Sequence, residues 1–223
     1  MDATDSNDKE SFCRFGYVMQ LLVAAINPGA SDTRVAAVLY PSNSVQFANE
    51  TRKRNLAPAY VFNLNTPCDE VVSADLTQLV YEFAYATEEN KHTLKYPNVR
   101  AMETVPISAI KFVKNAILER SSSGRPVSAV ILTDGKSHSD PDVIRRTVQE
   151  LDEANCSPII AAGIGNDVDK EALEWLVTDT SNILYEADVD KTIDLGKQII
   201  KRMHFKGALC DLEGTSPSHT MHV

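Results

Sequence analysis

Oxygen-bearing side chains that could hold a metal ion occur in three separated stretches of the chain. Asp2, Thr4 and Ser6 stand at every second position near the start, Thr104 lies near the middle, and Asp134 follows an apolar run. Carboxylates, hydroxyls and water suit a hard cation such as Mg²⁺ or Mn²⁺ rather than zinc or copper. None of the three stretches has a Cys or His at ligand spacing. These residues therefore predict a site for a divalent cation.

The alternation of Asp2, Thr4 and Ser6 has a geometric consequence. A loop that leaves a strand end can turn every second side chain toward one point, so that three oxygen atoms converge. The motif is short and uses common residues, and a polar cap on the first helix is the alternative interpretation.

The rest of the sequence predicts helices and strands in alternation. Helices are indicated by apolar residues at helical spacing, and strands by short apolar runs bounded by turn residues. The predicted helices cover residues 12–26, 76–83, 107–117, 141–151, 170–177 and 189–204, and the predicted strands cover residues 34–40, 127–132, 158–164 and 183–185. Residues 41–43 predict a turn into a return strand at 45–47, which would make a hairpin. Residues 87–100, and residues 136–140 beside Asp134, are interpreted as exposed loops.

Strands such as VSAVIL (127–132) and PIIAAGI (158–164) leave no polar face for water. They indicate an α/β fold with a doubly wound, mainly parallel sheet covered by helices on both faces. In such sheets, ligands bind beyond the carboxyl ends of the strands, where loops enter helices. Residues 1–206 are predicted to form one domain, and residues 207–223, which lack periodicity, a linker or tail.

The composition excludes several classes of partner. The net charge of −9 argues against nucleic acid and anionic lipid surfaces, which reward clustered Lys and Arg. No apolar run approaches the ~20 residues needed to cross a bilayer, so we expect no membrane insertion.

Four cysteines at positions 13, 68, 156 and 210 allow three disulfide pairings, and buried thiols at 13 and 156 are an alternative. Asn49 begins a sequon, which weakly supports a secreted glycoprotein.

Several segments in order resemble the von Willebrand factor A family, which includes integrin inserted domains, matrilins and several collagens. Asp2, Thr4 and Ser6 match that family's D-x-S-x-S motif, with Thr replacing the first Ser. Residues 28–47 are similar to its second and third strands, and residues 131–167, which begin ILTDGK, to its LTDG segment and the helix and strand after it. The resemblance spans about residues 2–204.

The resemblance implies a metal-ion-dependent adhesion site (MIDAS). Thr4, Ser6 and, with ligand bound, Thr104 would touch Mg²⁺ or Mn²⁺, whereas Asp2 and Asp134 would act largely through water. The implied function is that of an extracellular adhesion module, not an enzyme, that captures an Asp or Glu of a matrix or cell-surface protein. The surrounding hydroxyls and waters would compensate the charge of the cation only in part. The carboxylate would supply the missing negative charge by replacing one bound water.

Two departures from the family pattern favour an alternative. The family has an apolar strand before the D-x-S-x-S loop, and we expect this first central strand to be missing here. The residues immediately before Thr104 also differ from those of the family, since they are Ala101-Met102-Glu103 here. A structural or assembly module without a working metal site is therefore the second hypothesis. An Asp-nucleophile phosphotransferase is the third, although no second Asp stands at position 4 and the chain shows no Ser/His or Cys/His set.

Overall fold

The computed structural model describes residues 9–26, 35–44, 55–62, 106–118, 127–137 and 139–203. The helices are α1 (Lys9–Ile26), α2 (Pro106–Leu118), α3 (Pro141–Glu153), α4 (Lys170–Glu174) and α5 (Thr192–Arg202). The strands are β1 (Ala37–Ser44), β2 (Asn55–Phe62), β3 (Val127–Leu132), β4 (Cys156–Ile164) and β5 (Ile183–Glu186). The predicted helix at 76–83, the loop at 87–100, the tail at 207–223 and any strand preceding the 2–6 motif lie outside the described residues.

Strands β3, β4 and β5 form a parallel sheet in that order. Leu132 of β3 lies beside Ala162, and Ile164 at the end of β4 lies beside Glu186 of β5. The three strands therefore end at the same edge of the sheet, which we call the carboxyl edge. Each parallel step is made through a helical connection, as the alternating pattern predicts. The doubly wound α/β class is confirmed.

Side chains of β4 alternate between two hydrophobic cores, because successive residues of a strand point to opposite faces. Ile160, Ala162 and Ile164 enter one core, with α1 and α5. Ile159 and Ala161 enter the other, with α2, α3 and α4. The sheet is thus covered on both faces, as expected from its apolar strands.

Helix α1 ends at Ile26, where the predicted helix also ends. Its buried residues include Phe15, Leu22, Val23 and Ile26, which have the helical spacing that predicts this helix, and also Val18 and Ala25. Met19 is partly buried against the same core, and the side chain of Phe12 lies outside the described part.

Helix α3 begins at Pro141, which is its predicted start, and Asp140 is its N-terminal cap. The Asp140 carboxylate accepts a hydrogen bond of 2.8 Å from the backbone N–H of Asp142, and Pro141 fits the first turn, where no donor is needed. Ile144, Val148 and Leu151 are buried on the inner face of the helix. Local capping chemistry and apolar spacing therefore agree at this helix.

Helix α4 is shorter than predicted, because Trp175 already forms its C-terminal cap. Trp175 is partly buried against the second core, and the guanidinium carbon of Arg145 lies 5.9 Å from its ring centre. The last helix also begins later than the predicted start at residue 189. Residues Val189–Lys191 form a 3₁₀ turn, in which Asp188 accepts the N–H of Lys191, and α5 starts at Thr192.

Strand β1 has an antiparallel partner, as the predicted hairpin requires, but the described partner is β2 and not the predicted return strand at 45–47, and the predicted turn is wrong. β1 runs to Ser44 and pairs with β2, so residues 41–43 are strand rather than turn. Leu39 pairs with Ala59 and Ser42 with Ala57, which leaves one extra residue in β1. Pro41 falls within this bulge, where its missing N–H breaks no regular ladder bond. Residues 45–47 lie outside the described residues.

Strand β4 begins two residues before the predicted start at Pro158. Val127 pairs with Cys156 and Ala129 with Ile159, so β4 carries an extra residue in the interval that contains Pro158. Proline is tolerated at such an irregularity and does not end the strand. Cys156 is fully buried as a free thiol, and burial raises its pKa to about 12. Cys13 is partly buried against the first core.

An ion pair joins α2 to α3 on the protein surface. The ammonium of Lys114 lies 2.7 Å from Oε2 of Glu150. The hydrogen bond from Lys114, together with its charge, holds the pKa of the Glu150 carboxyl below its ordinary value of 4.5. In the described part of the chain, no helix is long and apolar enough to cross a membrane.

We expect Ile159→Ala and Ile160→Ala each to lower the free energy of unfolding by about 2–5 kcal/mol, because each removes a fully buried side chain from a different core. Urea denaturation measures both changes. Lys197→Ala, at an exposed position of α5, is the control and should stay within about 0.5 kcal/mol. An isoleucine variant as stable as this control would contradict the two-core description.

The pH dependence of the stability lost in Glu150→Gln tests the ion pair. Because folding lowers the pKa of Glu150, its contribution is present above the ordinary value of 4.5 and is lost as the pH falls through the folded value. The difference in unfolding free energy between wild type and Glu150→Gln should therefore shrink from about pH 6 to about pH 3. In a Lys114→Met background this dependence on pH should become much smaller, because only the charges of Lys111 and Arg146 then lower the pKa of Glu150, and a dependence of undiminished size would refute the assignment.

Candidate metal centre

Asp134 lies at the carboxyl edge, two residues after the end of β3. Between them, Thr133 extends the strand pairing by donating its N–H to the carbonyl of Ala162, at 3.1 Å. Thr133 and Asp134 are 1% and 3% exposed, so the chain leaves the strand without reaching the surface. The prediction that Asp134 follows a buried strand is thus correct, and its acidic side chain lies in a protected position.

The Asp134 carboxylate is held by the residue two positions later. Oδ1 accepts a hydrogen bond of 3.0 Å from the backbone N–H of Lys136, and Oδ2 lies 3.9 Å from the ammonium nitrogen of the same residue. A buried carboxylate needs such compensation, since removing its charge from water is costly. One residue therefore provides both a backbone hydrogen bond and a positive charge.

The main chain of Asp134 connects the loop after β3 to the loop after β4. Its carbonyl accepts a hydrogen bond of 2.7 Å from the N–H of Asp169. The Asp169 carboxylate in turn accepts the N–H of Ala172 and caps α4. The carbonyl of Asp134 is occupied in this way, so the carboxylate is the group through which this residue would act on a cation.

Gly135 allows the two loops to approach each other. Its φ of +81° is rarely adopted by other residues, and a Cβ at this position would lie 2.6 Å from the carbonyl oxygen of Asp169. The N–H of Gly135 also donates to Oγ1 of Thr133, at 3.0 Å. The Thr133-Asp134-Gly135 sequence therefore shapes the loop as well as supplying an acidic group.

Lys136 is placed between two acidic groups, which the sequence prediction of a solvated loop missed. Its ammonium lies 3.9 Å from Oδ2 of Asp134 and 4.0 Å from Oδ2 of Asp167, which belongs to the loop after β4. Lys136 is 43% exposed and Asp167 is 89% exposed, so the second contact is open to solvent. The DGK sequence identifies the lysine, but its approach to Asp167 depends on how the two strands pair. His138 lies outside the described residues, and Asp140 caps α3.

The other predicted ligands, Asp2, Thr4, Ser6 and Thr104, lie outside the described residues. Helix α1 begins at Lys9, three residues after Ser6, and α2 begins at Pro106, two residues after Thr104. Both helices pack on the sheet, one on each face. Whether the hydroxyls of these residues meet the Asp134 carboxylate stays a prediction.

The donor chemistry of the described residues fits a hard cation. Asp134 supplies carboxylate oxygens at the edge of a buried sheet, which is the kind of ligand that Mg²⁺ and Mn²⁺ accept. Within the described ranges, no three His, Cys, Asp or Glu residues form a cluster that could hold a metal.

The chain matches a known protein family and is similar to several solved structures. Residues 1–198 match the family model of the von Willebrand factor type A domain. No curated protein sequence matches the chain. The chain is similar to proximal thread matrix protein 1 from the mussel byssus, with 18% identity and a TM-score of 0.62, over 91% of this chain and 46% of that chain. It thus spans less than half of the mussel protein.

Two further structures were determined with a metal ion. One is the same mussel protein with a zinc-occupied MIDAS motif, again with 18% identity, a TM-score of 0.62, and 91% and 46% coverage of the two chains. The other is manganese-loaded TRAP protein from Plasmodium vivax, with 13% identity and a TM-score of 0.61, over 90% of this chain and 70% of that chain. At these identities the likeness concerns the fold.

Gly135→Ala tests the close approach of the two loops. We expect it to lower the free energy of unfolding by more than about 1–2 kcal/mol, because positive φ is unfavourable for alanine and the added Cβ meets backbone. Gly196→Ala in α5 is the matched control, since its Cβ would meet side-chain rather than backbone atoms, namely Cδ1 of Leu21 at 3.1 Å and Cβ of Leu21 at 3.7 Å. Equal effects on urea denaturation would contradict the proposed constraint.

Proposed function

The chain belongs to the von Willebrand factor type A domain family, and on that premise we propose that it is an extracellular protein-binding module. It captures a carboxylate of its ligand through a divalent cation. The single observation that carries this proposal is the buried carboxylate of Asp134 at the carboxyl edge, after strand β3. Acidic groups are rarely buried unless they are paired or hold a metal, and the lysine that pairs with this carboxylate is itself 43% exposed.

The proposed ligand set consists of Asp2, Thr4, Ser6, Thr104 and Asp134. Thr4 and Ser6 would hold Mg²⁺ or Mn²⁺ through their hydroxyls, Thr104 would join them when ligand is bound, and Asp2 and Asp134 would act largely through water. A cation held in this way would supply the positive charge that a carboxylate of the partner neutralises.

Two of the neighbouring structures support a divalent cation for this chain. They are manganese-loaded TRAP protein and a mussel thread protein with a zinc-occupied MIDAS motif. The mussel protein is also a matrix protein by name, which supports an extracellular setting for this chain. The partner is proposed to be a matrix or cell-surface protein that presents Asp or Glu, and the chain to have no enzymatic activity.

A second candidate is an assembly module of the same fold that needs no metal. The likeness to a protein that is named as a thread matrix protein of the mussel byssus favours it. The two candidates differ in a measurable way. Adhesion through the cation is lost in EDTA and restored by Mg²⁺ or Mn²⁺, whereas assembly through protein surfaces persists in the chelator.

Asp134→Asn tests the metal site with little change of shape. The amide oxygen can still accept the N–H of Lys136, but the negative charge is lost, so we expect the affinity for Mn²⁺ to fall by about 10–100-fold. Titration calorimetry with Mg²⁺, Mn²⁺ and Zn²⁺, on metal-free protein, measures this change. The same titrations rank the three cations.

Asp179→Asn is the matched control. Its carboxylate also accepts the N–H of the residue two positions later, that of Ser181 at 2.8 Å, but it precedes β5 and lies at the opposite edge of the sheet. We expect its metal affinity to equal that of the wild type. Equal metal affinity of Asp134→Asn and Asp179→Asn, when both are folded, would exclude Asp134 from the site.

A further inference from the structure

One positive charge close to the Asp134 carboxylate is that of Lys136, two residues later in the chain. Lys136 contacts both oxygens of that carboxylate, Oδ1 through its backbone N–H at 3.0 Å and Oδ2 through its ammonium, 3.9 Å away. The Asp134 side chain is 4% exposed and that of Lys136 is 43% exposed. The lysine side chain thus extends from solvent toward an acid that is almost fully buried.

A cation that approaches Asp134 must share the carboxylate with this ammonium. A buried carboxylate attracts any positive charge within about 4 Å, and the attraction is stronger at the low effective dielectric of a protein than in water. A lysine held there lowers the cost of burying Asp134 when no metal is bound. With a divalent cation nearby, the same ammonium is a like charge and repels it.

We propose that Lys136 is a tethered counter-ion of Asp134 that competes with the divalent cation and sets its affinity. The inference rests on the proposed function, because it assumes that a cation binds beside Asp134. Asp167 provides the alternative position for the lysine, since its carboxylate lies 4.0 Å from the same ammonium on the solvent side. On metal binding the lysine moves away from Asp134 and keeps its contact with Asp167.

Lys136→Met separates the side-chain charge from the rest of the loop. Methionine retains the backbone N–H that binds Oδ1 and much of the length of the side chain, but it has no charge. We expect it to bind Mg²⁺ and Mn²⁺ about three- to tenfold more tightly than the wild type, a modest change because the lysine is partly exposed and screened. Titration calorimetry on metal-free protein at low ionic strength gives the affinities.

A second measurement tests the metal-free state. In EDTA, Lys136→Met should lower the midpoint of thermal unfolding by about 2–4 °C, because Asp134 loses its counter-ion. Lys136→Arg retains the charge and should keep both the metal affinity and the midpoint close to wild type. If Lys136→Met does not fold, Lys136→Gln serves in its place.

Lys191→Met is the matched control at the same edge of the sheet. Lys191 is 59% exposed and lies 3.4 Å from Oδ2 of Asp188, in the loop after β5, so it forms a similar pair away from Asp134. We expect it to bind metal as the wild type does. Tighter binding in Lys191→Met as well would show a general effect of net charge and would overturn the inference.

The outcomes distinguish this inference from the proposed function. Wild-type metal affinity in Lys136→Met overturns the role of Lys136 and leaves the metal site standing. Absence of metal binding in the wild type and in every variant overturns both. Tighter binding in Lys136→Met alone, with Lys136→Arg unchanged, is the result that supports the tethered counter-ion.

Discussion

From Ile159 to Ile164, strand β4 is buried on both of its faces, and the arrangement of the other elements follows from this burial. Neither face can be left to water, so helices must lie on both sides of the sheet. A chain that places a helix after each strand returns to the same end of the sheet before the next strand begins. For this reason the strands run parallel, and the loops after β3, β4 and β5 all lie at the carboxyl edge.

The loops at that edge are connected by main-chain contacts rather than by apolar packing alone. The 2.7 Å hydrogen bond from Asp169 to the Asp134 carbonyl joins the loop after β3 to the start of α4, and the conformation of Gly135 brings the two together. A carboxylate on such a loop is fixed in direction before any partner arrives. Preorganisation of this kind favours binding, because less conformational freedom is lost when a ligand is captured.

Local sequence signals predicted those parts of the fold in which one segment determines its own structure. Asp140 with Pro141 marked the start of α3, and the apolar run 127–132 coincides with β3. Prediction failed where a second strand decides the outcome. Pro41 resembles a turn residue on its own, but pairing with β2 places it in a bulge of β1. Similarly, the predicted strand starts at Pro158 and omits the first two residues of β4.

The same distinction applies to the candidate site. Asp134 could be identified because it follows an apolar strand and belongs to a recognisable TDG sequence, and the family resemblance inferred from such segments is confirmed by the match over residues 1–198. The ion contacts of Lys136 could not be predicted, because one of them reaches Asp167 on a different strand connection. The position of that ammonium depends on the pairing of β3 with β4 and on the path of both loops.

Trp175, the only tryptophan of the chain, gives the carboxyl edge a natural optical signal. It caps the C-terminus of α4, whose N-terminal cap Asp169 donates its N–H to Asp134. Because α4 is only five residues long, a displacement of the loop that contains Asp169 moves the indole ring relative to the second core and to Arg145. Indole emission depends on such surroundings, so a displacement of this loop would change it without an attached dye.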